Sequence, residues 1–196
     1  KIYNNDCCEF NFIPAKKAPF CYRPFALHFH YDLKELKSLD NNLPEKLTLF
    51  FNLAENKHIL EKWYGRKHYH FIKSLEFLNP EDAYNSLLDN LSSVIGTGLH
   101  NKITLLKIKY SSKNQAKTFN YTFEFRGLIS PLYYTTNPDN VIEIVNDNDK
   151  QLDKLISEIS SVKNPNLLLI NNNRVLEKLV KDFINYRRKI EEKYNV

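Results

Sequence analysis

The sequence predicts an α+β fold: a largely antiparallel mixed sheet with flanking helices and a long C-terminal amphipathic helix. Three observations predict it. Alternating apolar tracts outnumber what a single βαβ series would use. Two of them, "KITLLKIKY" (102–110) and "KTFNYTFEFR" (117–126), flank a short polar loop as the arms of a hairpin do. The last stretch of the chain repeats its apolar residues at helical spacing. With 196 residues, 42% of them hydrophobic, the chain can bury a full core without disulfide or metal staples, and it is too apolar for disorder to dominate.

The elements follow in order. Residues 1–24 carry Pro14, Pro19 and Pro24 among aromatics and read as an extended arm. An α+β domain covers 25–170. "FALHFHY" (25–31) alternates and reads as a strand, "DLKELKSLDNNLP" (32–44) as a short helix or loop, and "KLTLFFN" (46–52) as a second strand. "AENKHILEKWY" (54–64) is a helix closed by Gly65, and "KHYHFIK" (67–73) a third strand. Asn79 and Pro80 supply an N-cap and a first-turn proline ahead of a helix that Gly96 ends. After the hairpin, "LYYTT" (132–136), "VIEIV" (141–145) and "NLLLI" (166–170) read as short strands, with "DKQLDKLISEIS" (149–160) as a helix. Residues 171–196 form the terminal helix, packed on the domain or on a partner. Its stripe is Leu176, Leu179, Val180, Phe183, Ile184 and Tyr186; its outer face carries Glu177, Lys178, Lys181, Asp182, Arg188 and Lys189.

Composition narrows the function classes. A net charge of +5 is modest for a dedicated nucleic-acid module. The three cysteines, Cys7, Cys8 and Cys21, make no disulfide framework, which points to a reducing, cytoplasmic setting. No apolar run reaches membrane-span length and no signal-peptide pattern opens the sequence, so no membrane span is expected.

The tracts "LHFHYD" (27–32) and "KHYHFI" (67–72) raise the sharpest chemical option. Residues two apart on a strand share a face, so His28, His30 and Asp32 would converge on one metal ion. "HFHYD" resembles the opening His-x-His-x-Asp of the zinc motif in metallo-β-lactamase-like hydrolases. That family places a further histidine directly after the aspartate, where this chain has Leu33, so the family is not carried over. Ordinary alternation explains more residues: Phe25, Leu27, Phe29 and Tyr31 occupy one face as a core-facing strand requires, leaving the histidines opposite. No metal site is favoured, and no cofactor is expected.

"GRKHYHF" (65–71) gathers cations, histidines and a tyrosine. It supports RNA or single-stranded DNA binding through Arg66, Lys67, Lys107, Lys109 and Arg126. As a metal-independent nuclease it would use His68 and His70 with Tyr69. "IGTG" (95–98) lacks the preceding strand a phosphate loop needs, and "DNDKQLDKLISE" (147–158) has Leu152 where a calcium loop needs glycine. "LTLFFNLAENKHILEKWY" (47–64) resembles a strand–helix segment in a baseplate subunit of type VI secretion machines.

The leading expectation is therefore a non-catalytic structural or protein-interaction subunit of a multi-protein assembly, secretion-system or phage-baseplate-like, with other protein subunits as partners. An aromatic arm and an amphipathic terminal helix both suit docking. Nucleic-acid binding through the "GRKHYHF" patch, and a His-x-His-x-Asp metal-dependent hydrolase, are the competing readings.

Overall fold

The computed structural model describes residues 26–64, 75, 78–95, 103–110 and 118–195. The arm at 1–24 and the third expected strand at 67–73 lie outside the described residues. Among those described, six α-helices dominate: α1 (Leu33–Leu39), α2 (Leu43–Asn52), α3 (Lys57–Tyr64), α4 (Pro80–Ile95), α5 (Pro138–Ser161) and α6 (Arg174–Lys193). Three strands, β1 (Ala26–Asp32), β2 (Ile103–Tyr110) and β3 (Thr118–Ile129), form one small antiparallel sheet in the order β1-β3-β2.

The expected α+β fold framed by a largely antiparallel sheet is overturned: the described residues are mostly helical, and the three-stranded sheet is a minor part of them. Four of the expected strands account for the difference. "KLTLFFN" is the middle and end of α2, "VIEIV" is the first part of α5, and "NLLLI" lies in two successive 3-10 turns. "LYYTT" likewise begins in a 3-10 turn at Pro131–Tyr133. Each is a short apolar run, and such runs have no period that separates a buried helix from a buried strand. Local capping decides instead. Pro44 sits in the first turn of α2. Asn137 accepts hydrogen bonds from the N–H groups of Asp139 and Asn140, which starts α5.

All ten residues of α2 are buried, so it has no solvent side. Its neighbours are α1, α4 and α5, whose own apolar stripes are narrow and face it: Leu36 from α1, Ala83 and Leu87 from α4, Leu152, Leu155 and Ile159 from α5. The polar members of α2 are accommodated locally. Thr48 Oγ1 donates to the Pro44 carbonyl at 2.7 Å and Asn52 Nδ2 to the Thr48 carbonyl at 2.7 Å. Lys46 Nζ reaches Asp40 Oδ2 at 2.6 Å and the Ser160 carbonyl at 3.2 Å, tying the α1–α2 turn to the end of α5.

An aromatic nucleus joins helices to sheet. The ring of Trp63 in α3 lies 5.7 Å from Phe51 in α2, 5.8 Å from Phe125 in β3 and 4.5 Å from Phe183 in α6. The sheet reaches this nucleus through a bulge. Leu27 pairs with Leu128 while Phe29 pairs with Phe125, so β3 carries an extra residue between those pairs. That residue resets the alternation, and Leu128 is buried along with Phe123 and Phe125 although it stands three positions on.

Asn56, 1% exposed, joins α2 to the 3-10 turns ahead of α6. Its Nδ2 donates to the carbonyls of Phe50 and Leu168, both at 2.9 Å, and its Oδ1 accepts from the Ile170 N–H at 2.8 Å. Every hydrogen-bonding direction those partners impose is met by one amide.

Glu45 is the discordant polar residue. It is buried, and its Oε2 has no hydrogen-bond partner among the described residues. Burial pushes its carboxyl above the ordinary glutamate value, and nearby Asp40 adds to the rise against the opposing pull of Lys37. Asp40 moves the other way: burial alone would raise it, but the bonds from Lys46 and the Asn42 N–H hold it below the ordinary value. The signs give a pH profile. The Glu45 contribution to stability is fully present below the ordinary glutamate value and is lost as pH rises through the raised folded value. The Asp40 contribution is present above the ordinary aspartate value and is lost as pH falls through the lowered one. The Glu45 contribution therefore predicts stability that falls as pH rises above the ordinary glutamate value, to be compared at an acidic and at a neutral pH. Glu45→Gln is expected to flatten that fall, as read from thermal midpoints at the two pH values; an unchanged slope would remove Glu45 as its source.

Candidate docking groove

The side chains singled out from the sequence do not assemble into one site. His28, His30 and Asp32 occupy alternate positions of β1. His30 is exposed and stands opposite Glu124 of β3. The Asp32 carboxylate accepts from the Lys34 N–H at 2.6 Å, which caps α1. Among the described residues, no three His, Cys, Asp or Glu side chains come together in a way that could hold a metal ion. Arg66, Lys67, His68, Tyr69 and His70 lie outside the described residues. In the register of β2 with β3, position 107 pairs with position 121 and 109 with 119. Position 126 lies at the bulge, and the side chains of Lys107, Lys109 and Arg126 lie outside what the structure describes.

Two concavities flank α6. The smaller, with little more room than a single water needs, is lined by Trp63, Leu128, Tyr134, Asn148, Tyr186 and Arg187 among others. Its polar groups serve the fold. Arg187 donates to the carbonyls of Lys62 and Trp63 at the end of α3 and pairs with Glu191 at 3.2 Å. Asn148 Nδ2 donates to the Ile144 carbonyl at 2.7 Å, and the Tyr186 hydroxyl donates to Asp147 Oδ2 at 3.1 Å. Burial pushes the Tyr134 phenol up to about 12, with Glu191 adding to the rise and Arg187 opposing it.

The larger concavity is an open groove between α3 and α6. Glu177, Lys181, Ile184, Asn185 and Arg188 contribute one stripe of α6, spaced four, three, one and three residues apart, as one helix face requires. Ile59 and Lys62 contribute the facing stripe of α3. Ile59 and Ile184 form the floor, and the charged side chains form the rim. Lys181 Nζ donates to Glu177 Oε1 at 2.5 Å, so that acid is already neutralised. Lys62 and Arg188 are exposed, and neither has an ion-pair partner among the described residues. The groove keeps its shape because the two helices are joined beneath it. The Trp63 ring packs on Phe183, and the Arg187 guanidinium caps the carbonyl end of α3, where the helix dipole favours a cation.

Charge is distributed unevenly around this groove. α4 carries Glu81, Asp82 and Asp89 with no Lys or Arg, and α5 carries more acids than lysines. α6 is the basic helix of the group, with Arg174, Lys178, Lys181, Arg188 and Lys189 on its exposed side.

Sequence reasoning placed Glu177, Lys181 and Arg188 on the outer face of the terminal helix but did not connect them with Ile59 and Lys62. A signal was present: in both helices a cation follows an isoleucine three or four residues on, in Ile59–Lys62 and Ile184–Arg188. Which helices face one another is what the sequence does not state.

No protein-family model matches the chain, and no curated protein or solved structure is significantly similar to it. Among the described residues, no helix is long and apolar enough to cross a membrane.

Proposed function

We propose that this chain is a protein-interaction subunit of a larger multi-protein assembly and that it docks through the groove between α3 and α6. The groove itself carries the reading: an aliphatic floor, a polar rim and a rigid foundation are the parts from which specific protein interfaces are built. On this reading the assembly is cytoplasmic, a placement supported by an odd number of cysteines without disulfide spacing.

A photo-crosslinking amino acid at position 185, on the groove rim, tests the proposal in the native cell. Discrete heavier adducts are expected from position 185, and none from position 154 on the exposed side of α5. Equal labelling from both positions, or none from either, would remove the groove as the docking surface.

A further inference from the structure

We infer that the groove between α3 and α6 receives an acidic amphipathic segment of a partner protein, with aliphatic side chains seated on Ile59 and Ile184 and carboxylates meeting Lys62 and Arg188. This rests on the docking reading above and specifies the chemistry of the partner.

Charge complementarity selects the sign. Of the four charged side chains on the rim, three are cations, and the one acid is taken up by Lys181. Lys62 and Arg188 therefore remain as cations with no carboxylate within ion-pair distance among the described residues. They stand on opposite walls, one on α3 and one on α6. A basic or neutral segment would leave both unanswered, and like charges brought together across an interface are costly.

The floor selects the class of molecule. A phosphate backbone would answer the cations but has no aliphatic groups to cover Ile59 and Ile184. A helix with apolar residues three and four apart on one side and acids beside them answers both, which is how amphipathic helices sit in grooves. The walls are two helix stripes joined below by Trp63 and Phe183, so the segment meets a surface already formed.

The test uses the full chain as bait for a displayed library of random 16-residue segments, against a Lys62→Glu, Lys181→Glu, Arg188→Glu triple variant. Circular dichroism and Trp63 fluorescence first establish that the variant keeps its fold. Enriched segments are expected to be acidic, with aliphatic residues at helical spacing. Synthetic copies should bind the triple variant at least about tenfold more weakly, in line with charged contacts at interfaces. Copies with lysines in place of the acids should regain binding to the variant. Neutral or basic enriched segments, no enrichment, binding indifferent to the charge reversal, equal competition by oligo(U), or light scattering showing that the groove is filled by a second copy would each overturn the inference. Failure here with position 185 still crosslinking in cells leaves the docking reading standing and removes the acidic partner; loss of crosslinking removes the docking reading itself.

Discussion

Trp63→Ala is expected to destabilise the chain by about 4 kcal/mol, the range for removing a buried aromatic from a packed core. For a chain of this size that lowers the thermal midpoint by on the order of 10 °C. The reason is positional. Trp63 is 1% exposed and its ring touches aromatic rings from α2, β3 and α6, so its loss opens a void where helices and sheet meet. Trp63→Phe keeps an aromatic ring in the cluster and is expected to cost distinctly less. Melting followed by far-ultraviolet circular dichroism decides the matter. A midpoint for Trp63→Ala within about 2 °C of the parent, well under the scale set above, would show that the nucleus does not hold the layers together.

Asn56→Ala is expected to cost about 3 kcal/mol, because two carbonyls and one N–H lose their partners inside the protein. Asn56→Asp separates the two halves of that effect. It keeps an acceptor for the Ile170 N–H but turns a carboxylate oxygen toward the Phe50 and Leu168 carbonyls in place of an N–H donor. Its deficit at neutral pH is therefore expected to exceed that of Asn56→Ala and to shrink in acid, where the protonated carboxyl regains one donor. Urea unfolding midpoints for the two variants at pH 7 and pH 5 make the comparison. Equal midpoints for Asn56→Asp and the parent at pH 7 would dismiss the amide as the link between α2 and the turns before α6.

These residues also show what a sequence discloses and what it withholds. The stripe Leu176, Val180, Phe183 and Ile184 is written at the spacing α6 uses, and the pairing of 103–110 with 118–125 follows from two alternating runs around a polar loop. Both signals are local. The reading of 46–52 as a strand failed because a helix buried on all sides has no polar face to mark its period, and only Pro44 hinted at a helix start. "VIEIV" failed for a related reason: its β-branched residues favour a strand, but the cap at Asn137 two residues before Asp139 overrides them. With those segments assigned to strands, the helical body was read as a sheet. The groove was hidden more deeply. Its two walls lie more than a hundred residues apart in the chain, and the contact that brings them together, Trp63 against Phe183, is one pair among many aromatic pairs the sequence allows.

A helix without an outward side has a consequence for how the molecule comes apart. Because α2 is covered by α1, α4 and α5 together, none of these can peel away without baring residues that the others also shelter. Piecemeal loosening is thereby penalised at every first step. Among the described residues, α1, α2, α4 and α5 are therefore expected to open together.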